Sequence, residues 1–488
     1  MTTSGDSRDK QGAPAMTTQE RRLVQSEIGA LKKMLAQLPE SSVIDRMSLE
    51  ARKRSLEKEL ASQRQAGAEE VPPGYKRTEV GVVPEDWDTK SIGDLIVKKG
   101  GSSKTGPFGT LLKASEYSTE GVPIISVGEV GFGKFEIKES TPMAPPDVVK
   151  RLPEYCLKPG DIVFGRKGAV ERSAIVETHQ EGWFLGSDGI RLRLPPSVHP
   201  PFIAHQLQSP RICKWLISNS IGTTMASLNQ DVLSRVILSL PPLPEQRAIA
   251  AALSDADGLI EALDALIEKK QAIKQATMQQ LLTGKKRLPG FEGEWETKRL
   301  GEVTSIRNQK VLPSNVDPDT LCVELEHIGQ GDGQLLEVST AQNSTSSKYR
   351  FFAGDVLFGR LRSYLRKYWL ADRDGICTTE MWPLMVDGSR VNSGFLYATV
   401  QSDRFVEEAS ISYGTHMPRA DWNVMKNFEV CLPPLPEQTA IATVLSDMDA
   451  EITALERRRE KAKQIKQGMM QQLLTGRIRL VESPEAAA

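Results

Sequence analysis

The stretch that most limits what this chain can fold into is present twice. "PPLPEQRAIAAALSDADGLIEALDALIEKKQAIKQATMQQLLTG" occupies residues 241–284, and "PPLPEQTAIATVLSDMDAEITALERRREKAKQIKQGMMQQLLTG" occupies residues 433–476. The copies align without a gap at an offset of 192, with about 28 of the 44 positions identical. The likeness continues outside them. "DWDTKSIGDL" (86–95) matches "EWETKRLGEV" (294–303), "GDIVFGR" (160–166) matches "GDVLFGR" (354–360), and "GTTM" (222–225) matches "GTHM" (414–417). Because the landmarks recur in one order, the building unit is a globular half followed by a long helix, used twice. Two copies are too few for a stacked solenoid. They imply a single chain imitating a homodimer.

Each copy carries the marks of one continuous helix. Pro244 and Glu245, like Pro436 and Glu437, suit a first turn, where a missing N–H costs nothing and a carboxylate meets the positive dipole end. Gln246 and Gln438 complete the repeated PEQ. Apolar residues then fall at Ile249, Leu253, Ala256, Ile260, Leu263, Ile267, Ile273 and Leu281. The second copy has Ile441, Leu445, Met448, Ile452, Leu455, Ile465, Met469 and Leu473. Such steps make a narrow heptad-like seam that needs a partner helix, and pseudo-two-fold symmetry makes the repeat itself an antiparallel partner. Gly284 and Gly476 are expected as C-cap glycines. A helix of roughly 38 residues is about 57 Å long. Ala265, Leu266 and Ile267 are replaced in the second copy by Arg457, Arg458 and Arg459, so pairing at mid-length is expected to be looser or turned toward another partner.

The regions between are rich in short β-like runs such as "VPIISV", "GIRLRL" and "FEVCL", punctuated by helical stretches. The expected fold class is therefore α+β. Two pseudo-two-fold-related globular domains are separated by two long antiparallel helices forming a coiled-coil spacer, with an N-terminal helical hairpin added. The boundaries expected are a disordered tail at 1–16, the hairpin at 17–66, a linker at 67–84 and the first globular domain at 85–240. The first long helix at 241–284, a linker at 285–292, the second domain at 293–432, the second helix at 433–477 and a C-terminal tail at 478–488 follow.

Composition narrows the function. In 488 residues no run approaches the ~18 apolar residues of a membrane span, and the N-terminus lacks the apolar core of a signal peptide. Five cysteines, scattered and odd in number without a CxxC, give no metal or disulfide framework and fit a reducing, cytoplasmic compartment. No catalytic constellation is present: "GGSSKTGPFG" misplaces the lysine of a phosphate-binding loop, and "GFGK" lacks the context of a nucleotide fingerprint. A net charge of −1 argues, taken alone, against an electrostatically driven nucleic-acid binder, but the distribution is uneven. Residues 98–113 hold Lys98, Lys99, Lys104 and Lys113 without an acid, and residues 358–370 hold Arg360, Arg362, Arg366 and Lys367 without one. With Arg166 and Lys167 these are the candidate DNA-facing residues, since glycine lets backbone approach a phosphate and arginine can also read guanine. No residue is assigned a catalytic or metal-binding role.

The doubled "PPLPEQ…AIA…LSD.D..I" with "QQLLTG" after the long helix resembles the repeated regions of the specificity subunits of type I restriction–modification systems. "GYKRTEVGVVPEDWDTKSIGDL" (74–95) and "SKTGPFGTLLKASEY" (103–117) are similar to stretches of such a subunit's first target-recognition domain. The resemblance covers residues 74–478. It implies that each domain reads one half of a bipartite site on double-stranded DNA, and that the helices fix the spacing and dock two methyltransferase subunits through Pro244, Glu245, Gln246, Ile249, Leu253, Pro436, Glu437, Gln438, Ile441 and Leu445. S-adenosylmethionine, ATP and Mg are then expected on partner subunits, the restriction/translocase subunits among them, and none on this chain, which would not be an enzyme. Half-sites would lie at most about 17 base pairs apart, at roughly 3.4 Å per pair. Near-zero net charge is tolerable if the methyltransferase subunits supply part of the DNA clamp. The hairpin at 17–66 is unusual for such subunits, and is a partner-docking element, an appendage packing on the helices or a private regulatory element. A self-sufficient DNA methyltransferase and a pseudo-dimeric DNA-binding regulator are the competing readings.

Overall fold

The computed structural model describes residue 53 and residues 71–98, 100–109, 111–221, 226–411 and 418–481. The tail at 1–16, all but residue 53 of the hairpin at 17–66, Lys99 and both GT-containing landmarks lie outside the described residues. The chain divides into two compact units, one running to Leu259 and resuming at Ala462, the other Ile260–Lys461.

The repeated GD-apolar-apolar-FG run shows how each unit is built. An amphipathic strand would alternate apolar with polar, yet Ile162–Gly165 is buried at every position. A strand with apolar residues on both faces must lie between two cores. Ile162 and Phe164 pack with Trp87, Phe202 and Leu253, while Val163 points the other way to Ile124, Leu157 and Phe184. In the second unit Val356 and Phe358 join Trp382, Phe395 and Leu445, while Leu357 meets Phe351, Trp369 and Cys377.

This strand sits third in a four-stranded antiparallel sheet ordered Ser102–Thr105, Gly189–Arg193, Ile162–Gly165, Ser173–Ile175. The second unit repeats the order with Thr304–Ile306, Met381–Val386, Val356–Gly359 and Tyr368–Leu370. The preceding Gly-Asp makes the same turn twice. Gly160 and Gly354 take φ of 88° and 90°, a left-handed conformation that glycine adopts without a Cβ clash. Asp161 accepts the Lys158 N–H at 2.8 Å and Asp355 the Phe352 N–H at 2.9 Å. Both carboxylates are buried and satisfied by bidentate arginines, Arg193 at 2.7 and 2.6 Å and Arg307 at 2.7 and 2.9 Å. The halves differ in their second sheet. It has three strands in the first unit, Met143–Ala144, Val122–Ile125 and Phe184–Leu185, and five in the other.

Each domain closes on itself before its helix begins. Asp88–Ser91 pairs antiparallel with Ile237–Leu240, and Glu296–Arg299 with Glu429–Leu432. The expected linker at 67–84 is in part folded: Tyr75–Thr78 and Gly81–Pro84 form a hairpin whose Val83 is buried in the first core, because the alternation around the tight turn gives it one apolar face.

The long helices span Leu243–Leu281 and Leu435–Leu473, 39 residues each, starting one residue before the proline expected to open them. They end alike. Thr283 Oγ1 donates to the Gln279 carbonyl and Thr475 Oγ1 to that of Gln471, both at 2.6 Å, and Gly284 and Gly476 turn left-handed at φ 68°. The seam differs from the expected one toward the C-terminal end of each helix. Ile273 and Ile465 are 42% and 53% exposed, because alternating steps of three and four instead bring Lys270, Lys274, Ala462 and Lys466 onto the buried face. The cations there are neutralised across the pair: Lys274 lies 2.5 Å from Asp449 and Lys270 2.7 Å from Glu451 in the second unit, and Lys466 lies 2.5 Å from Asp257 in the first. Of the three arginines expected to loosen the pairing, Arg457 and Arg458 are exposed, while Arg459 lies 3.1 Å from Asp264. Within each unit, partners rise in number along one helix as they fall along the other, so the helices run antiparallel. Among the described residues no helix is long and apolar enough to cross a membrane.

The first domain tolerates no side chain at Gly106, where a Cβ would meet the Gly186 carbonyl oxygen at 1.8 Å. Gly106→Ala should destabilise the protein by about 1–3 kcal/mol, read from the urea unfolding midpoint.

Candidate functional site

The basic blocks singled out in sequence are met in the first unit where two of them converge. Phe108, from the lysine-rich block, lies under the Arg166 guanidinium at 4.8 Å, and both remain partly open to solvent. Lys167 pairs with Asp188 at 3.1 Å. Lys104 is half-buried on the edge strand, 4.3 Å over the Tyr155 ring and 3.7 Å from Glu154. Lys98 and Lys113 are exposed.

In the second unit three of the four candidate cations are engaged inside the domain. The Lys367 ammonium donates to the carbonyls of Leu325 at 2.8 Å and Ile328 at 2.9 Å. Arg366 pairs with Asp403 and donates to the Gln401 carbonyl. Arg360 lies 5.8 Å over the Trp382 ring, with its Nε buried and without an acceptor among the described residues. Arg362 is exposed and has no carboxylate partner among the described residues. Arg362 and Arg366 are the only non-glycine residues with positive φ among the described residues, 53° and 52°, a conformation that costs an L-residue about 1 kcal/mol or more. They flank a 3-10 turn, Ser363–Leu365, that presents Tyr364 to solvent. Sequence reasoning passed over Tyr364 and Phe108, since a lone exposed aromatic has no periodicity to announce it.

The PEQ residues are placed differently from a docking surface. Pro244 and Pro436 are exposed, but Glu245, Gln246, Ile249, Leu253, Glu437, Gln438, Ile441 and Leu445 are buried within their own units. This corrects the expectation that they meet a partner subunit: they hold each unit together. Glu245 accepts from Trp87 Nε1 at 3.1 Å and from Arg479 at 2.6 and 2.7 Å, and Arg479 also grips Asp86 at 3.0 and 2.8 Å. Glu437 accepts from Trp295 Nε1 at 3.1 Å and from Arg287 at 2.6 Å twice. The neighbouring glutamines join helix to domain: Gln246 accepts the His199 N–H and Gln438 that of Asn392, both at 2.9 Å, and each donates to a proline carbonyl five residues before it. Arg479 and Arg287 each follow the C-cap glycine of the helix other than the one whose glutamate they hold. The residues expected as a linker (285–292) and a tail (478–488) thus contribute a charged anchor apiece. The signal was available, since Arg287 and Arg479 stand at the same offset of 192 just past the aligned segments.

A second polar group in the first unit lies against the helix pair. His205, buried, contacts Ser254 Oγ at 3.3 Å and lies 3.9 Å from Asp257, which Lys466 neutralises. Burial pushes the imidazole down to about 4, with Lys466 adding to the fall and Asp257 opposing it. Among the described residues no group of three or more His, Cys, Asp or Glu could hold a metal ion, and all five cysteines are free thiols.

This architecture agrees with what the chain is similar to. The family model described as "Type I restriction modification DNA specificity domain" matches residues 84–274 and again 292–467, each match taking in one globular domain and most of its following helix. The chain belongs to that family. Its relatives include the type I restriction enzyme MjaVIII specificity subunit of Methanocaldococcus jannaschii, 24% identical over 82% of this chain and 94% of that one. The EcoDI specificity subunit of Escherichia coli is 22% identical over 77% and 84%. A crystallised type I restriction–modification S subunit from M. genitalium, 15% identical, matches 79% of this chain and 96% of its own with a TM-score of 0.53, a likeness of fold. In the terms of this family, the sheets form two specificity domains, and the buried glutamates lock each to its long helix.

Arg479→Ala would leave the buried Glu245 carboxylate without its cation, and should destabilise the first unit by about 3 kcal/mol in urea melts. Arg287→Ala should destabilise the second unit in the same assay. His205 gives a pH signature. Its folded pKa lies below the unfolded value, so its contribution is full above about pH 6.5 and is lost as pH falls toward 4, by roughly 3 kcal/mol in all. The urea midpoint should therefore drop less between pH 7 and pH 5 in His205→Gln than in the parent chain.

Proposed function

We propose that this chain chooses the DNA sequence for a type I restriction–modification complex, each specificity domain reading one half of a bipartite site. The observation that carries the reading is one four-stranded scaffold used twice with different residues on its turns, matched twice by a DNA specificity model. Two dissimilar domains on a common scaffold suit an asymmetric site better than a palindrome, which a true homodimer would prefer. In this reading the chain is not itself an enzyme. Methyltransferase subunits, two per chain, carry S-adenosylmethionine and the methyl transfer, and restriction/translocase subunits carry ATP and Mg. The exposed faces of the long helices, rather than the buried PEQ residues, offer those subunits the same pattern twice. The exposed cations Lys98, Lys113 and Arg362, with Arg166 beside Phe108, are the candidates for meeting DNA.

We further propose that helix length sets the interval between half-sites. A helix of 39 residues is about 58 Å long. Lengthening both helices by one heptad adds about 10 Å, or roughly three base pairs.

Co-expression with the modification subunits and mapping of methylated bases should show one bipartite site. Exchange of residues 293–432 for those of another specificity subunit should change one half-site and leave the other. Insertion of one heptad into each long helix should lengthen only the unspecified interval. Methyl transfer to DNA by the purified chain alone, or a methylated site without two parts, would overturn the reading.

A further inference from the structure

The turn that follows the GD-apolar-apolar-FG strand has one backbone in both units and different side chains. In the first unit the Arg166 N–H donates to the Asp188 carbonyl, the Arg166 carbonyl accepts from Leu228, and Gly168 donates to the Ala226 carbonyl. In the second, the Arg360 N–H donates to Glu380, its carbonyl accepts from Ala420, and Arg362 donates to the Pro418 carbonyl, all at 2.8–2.9 Å as in the first. The three bonds correspond one to one. The left-handed position in this frame is Gly168 at φ 73° in the first unit and Arg362 at φ 53° in the second. Two residues on, buried Val170 corresponds to Tyr364, which is 53% exposed.

Glycine is the residue this backbone asks for, and the first unit has it with open space around the Cβ position. An arginine there strains the turn, and its side chain has no hydrogen-bond or ion-pair partner among the described residues. The cations around it are each committed: Arg360 to a tryptophan face, Arg366 to Asp403, Lys367 to two carbonyls, and Arg419 to Glu380 at 2.9 and 3.0 Å. A guanidinium can also hold a phosphate bidentately, but phosphates recur along the backbone, so a cation at an unstrained neighbouring position would serve as well. A rigidly held turn aiming one forked guanidinium outward suits a directional, bidentate acceptor pair instead. In duplex DNA that pair is the O6 and N7 of guanine in the major groove.

We infer that Arg362 is the base-reading residue of the second domain, selecting a guanine in its half-site, with Tyr364 packing beside the same bases. The inference rests on the DNA-specificity reading above and adds to it which side chain reads and what it reads. The test is selection from randomised duplexes by the full chain in complex with its modification subunits, comparing the parent with Arg362→Gly and Arg362→Lys. The glycine variant restores the residue of the first unit, so it keeps the fold, as its melting temperature will show. Lysine keeps the charge and loses the fork.

Expected is a guanine preference at one position of one half-site, reduced about 5- to 150-fold in Arg362→Gly and substantially in Arg362→Lys, with the other half-site unchanged. An equal loss of affinity on all sequences with a smaller salt slope would make Arg362 a phosphate contact and overturn the inference. Unchanged selection by both variants, while the parent still selects a bipartite site, would overturn it and leave the function standing. A parent complex that selects no sequence would overturn both.

Discussion

Each half of this molecule is organised around a carboxylate that has no business being buried by itself. Glu245 and Glu437 sit in the first turn of a long helix, where the N–H dipoles already favour negative charge. Yet each is taken almost wholly out of water. What makes this tolerable is an indole N–H from the domain and a two-pronged guanidinium from just beyond the C-cap of the other helix. The consequence is topological. The first unit is not a contiguous segment, since it runs to Leu259 and resumes at Ala462, and the second, Ile260–Lys461, begins inside the first long helix. Duplication has produced two domains that each borrow their lock from the other repeat, which is what a homodimer with exchanged helices becomes when its two chains are joined.

The helix seam obeys the same economy of charge. A purely apolar heptad seam is content in several registers, since any apolar layer packs tolerably on another. Lys270, Lys274, Arg459 and Lys466 occupy seam positions where a shift by one turn would strand a cation against apolar side chains. Each finds its acid only in the observed antiparallel alignment, so these residues specify register at some expense of hydrophobic burial.

Much of this was legible in sequence, for physical reasons. The repeat and the helix limits follow from proline and glycine punctuation and from a long periodic pattern, signals that tertiary context seldom overrides. The continuous apolar run of GDIVFG and GDVLFG marks a strand between two cores. What was not legible depended on partners distant in sequence. Ile273 and Ile465 look like seam residues until the step pattern is followed through lysines that count as seam only because acids face them. Glu245 and Glu437 looked like surface charges because a charge is assumed exposed until its buried partner is known. Lys367 resembled a DNA-facing cation, yet two carbonyls some 40 residues away in sequence claim it.

The same accounting explains how a chain of net charge −1 can belong to a DNA-specificity family. Several cations near the candidate surface are neutralised within the domains, Lys167 by Asp188, Arg366 by Asp403 and Arg419 by Glu380. Total charge therefore measures how the scaffold is held together rather than what its surface presents. A scaffold that fixes its own arginines internally leaves few cations free to attract DNA without regard to sequence. Non-specific affinity scales with the phosphates a protein neutralises, so a surface with few free cations has less of it to overcome. Discrimination then falls to the small number of side chains that the shared backbone aims outward, and those are the positions at which the two halves differ.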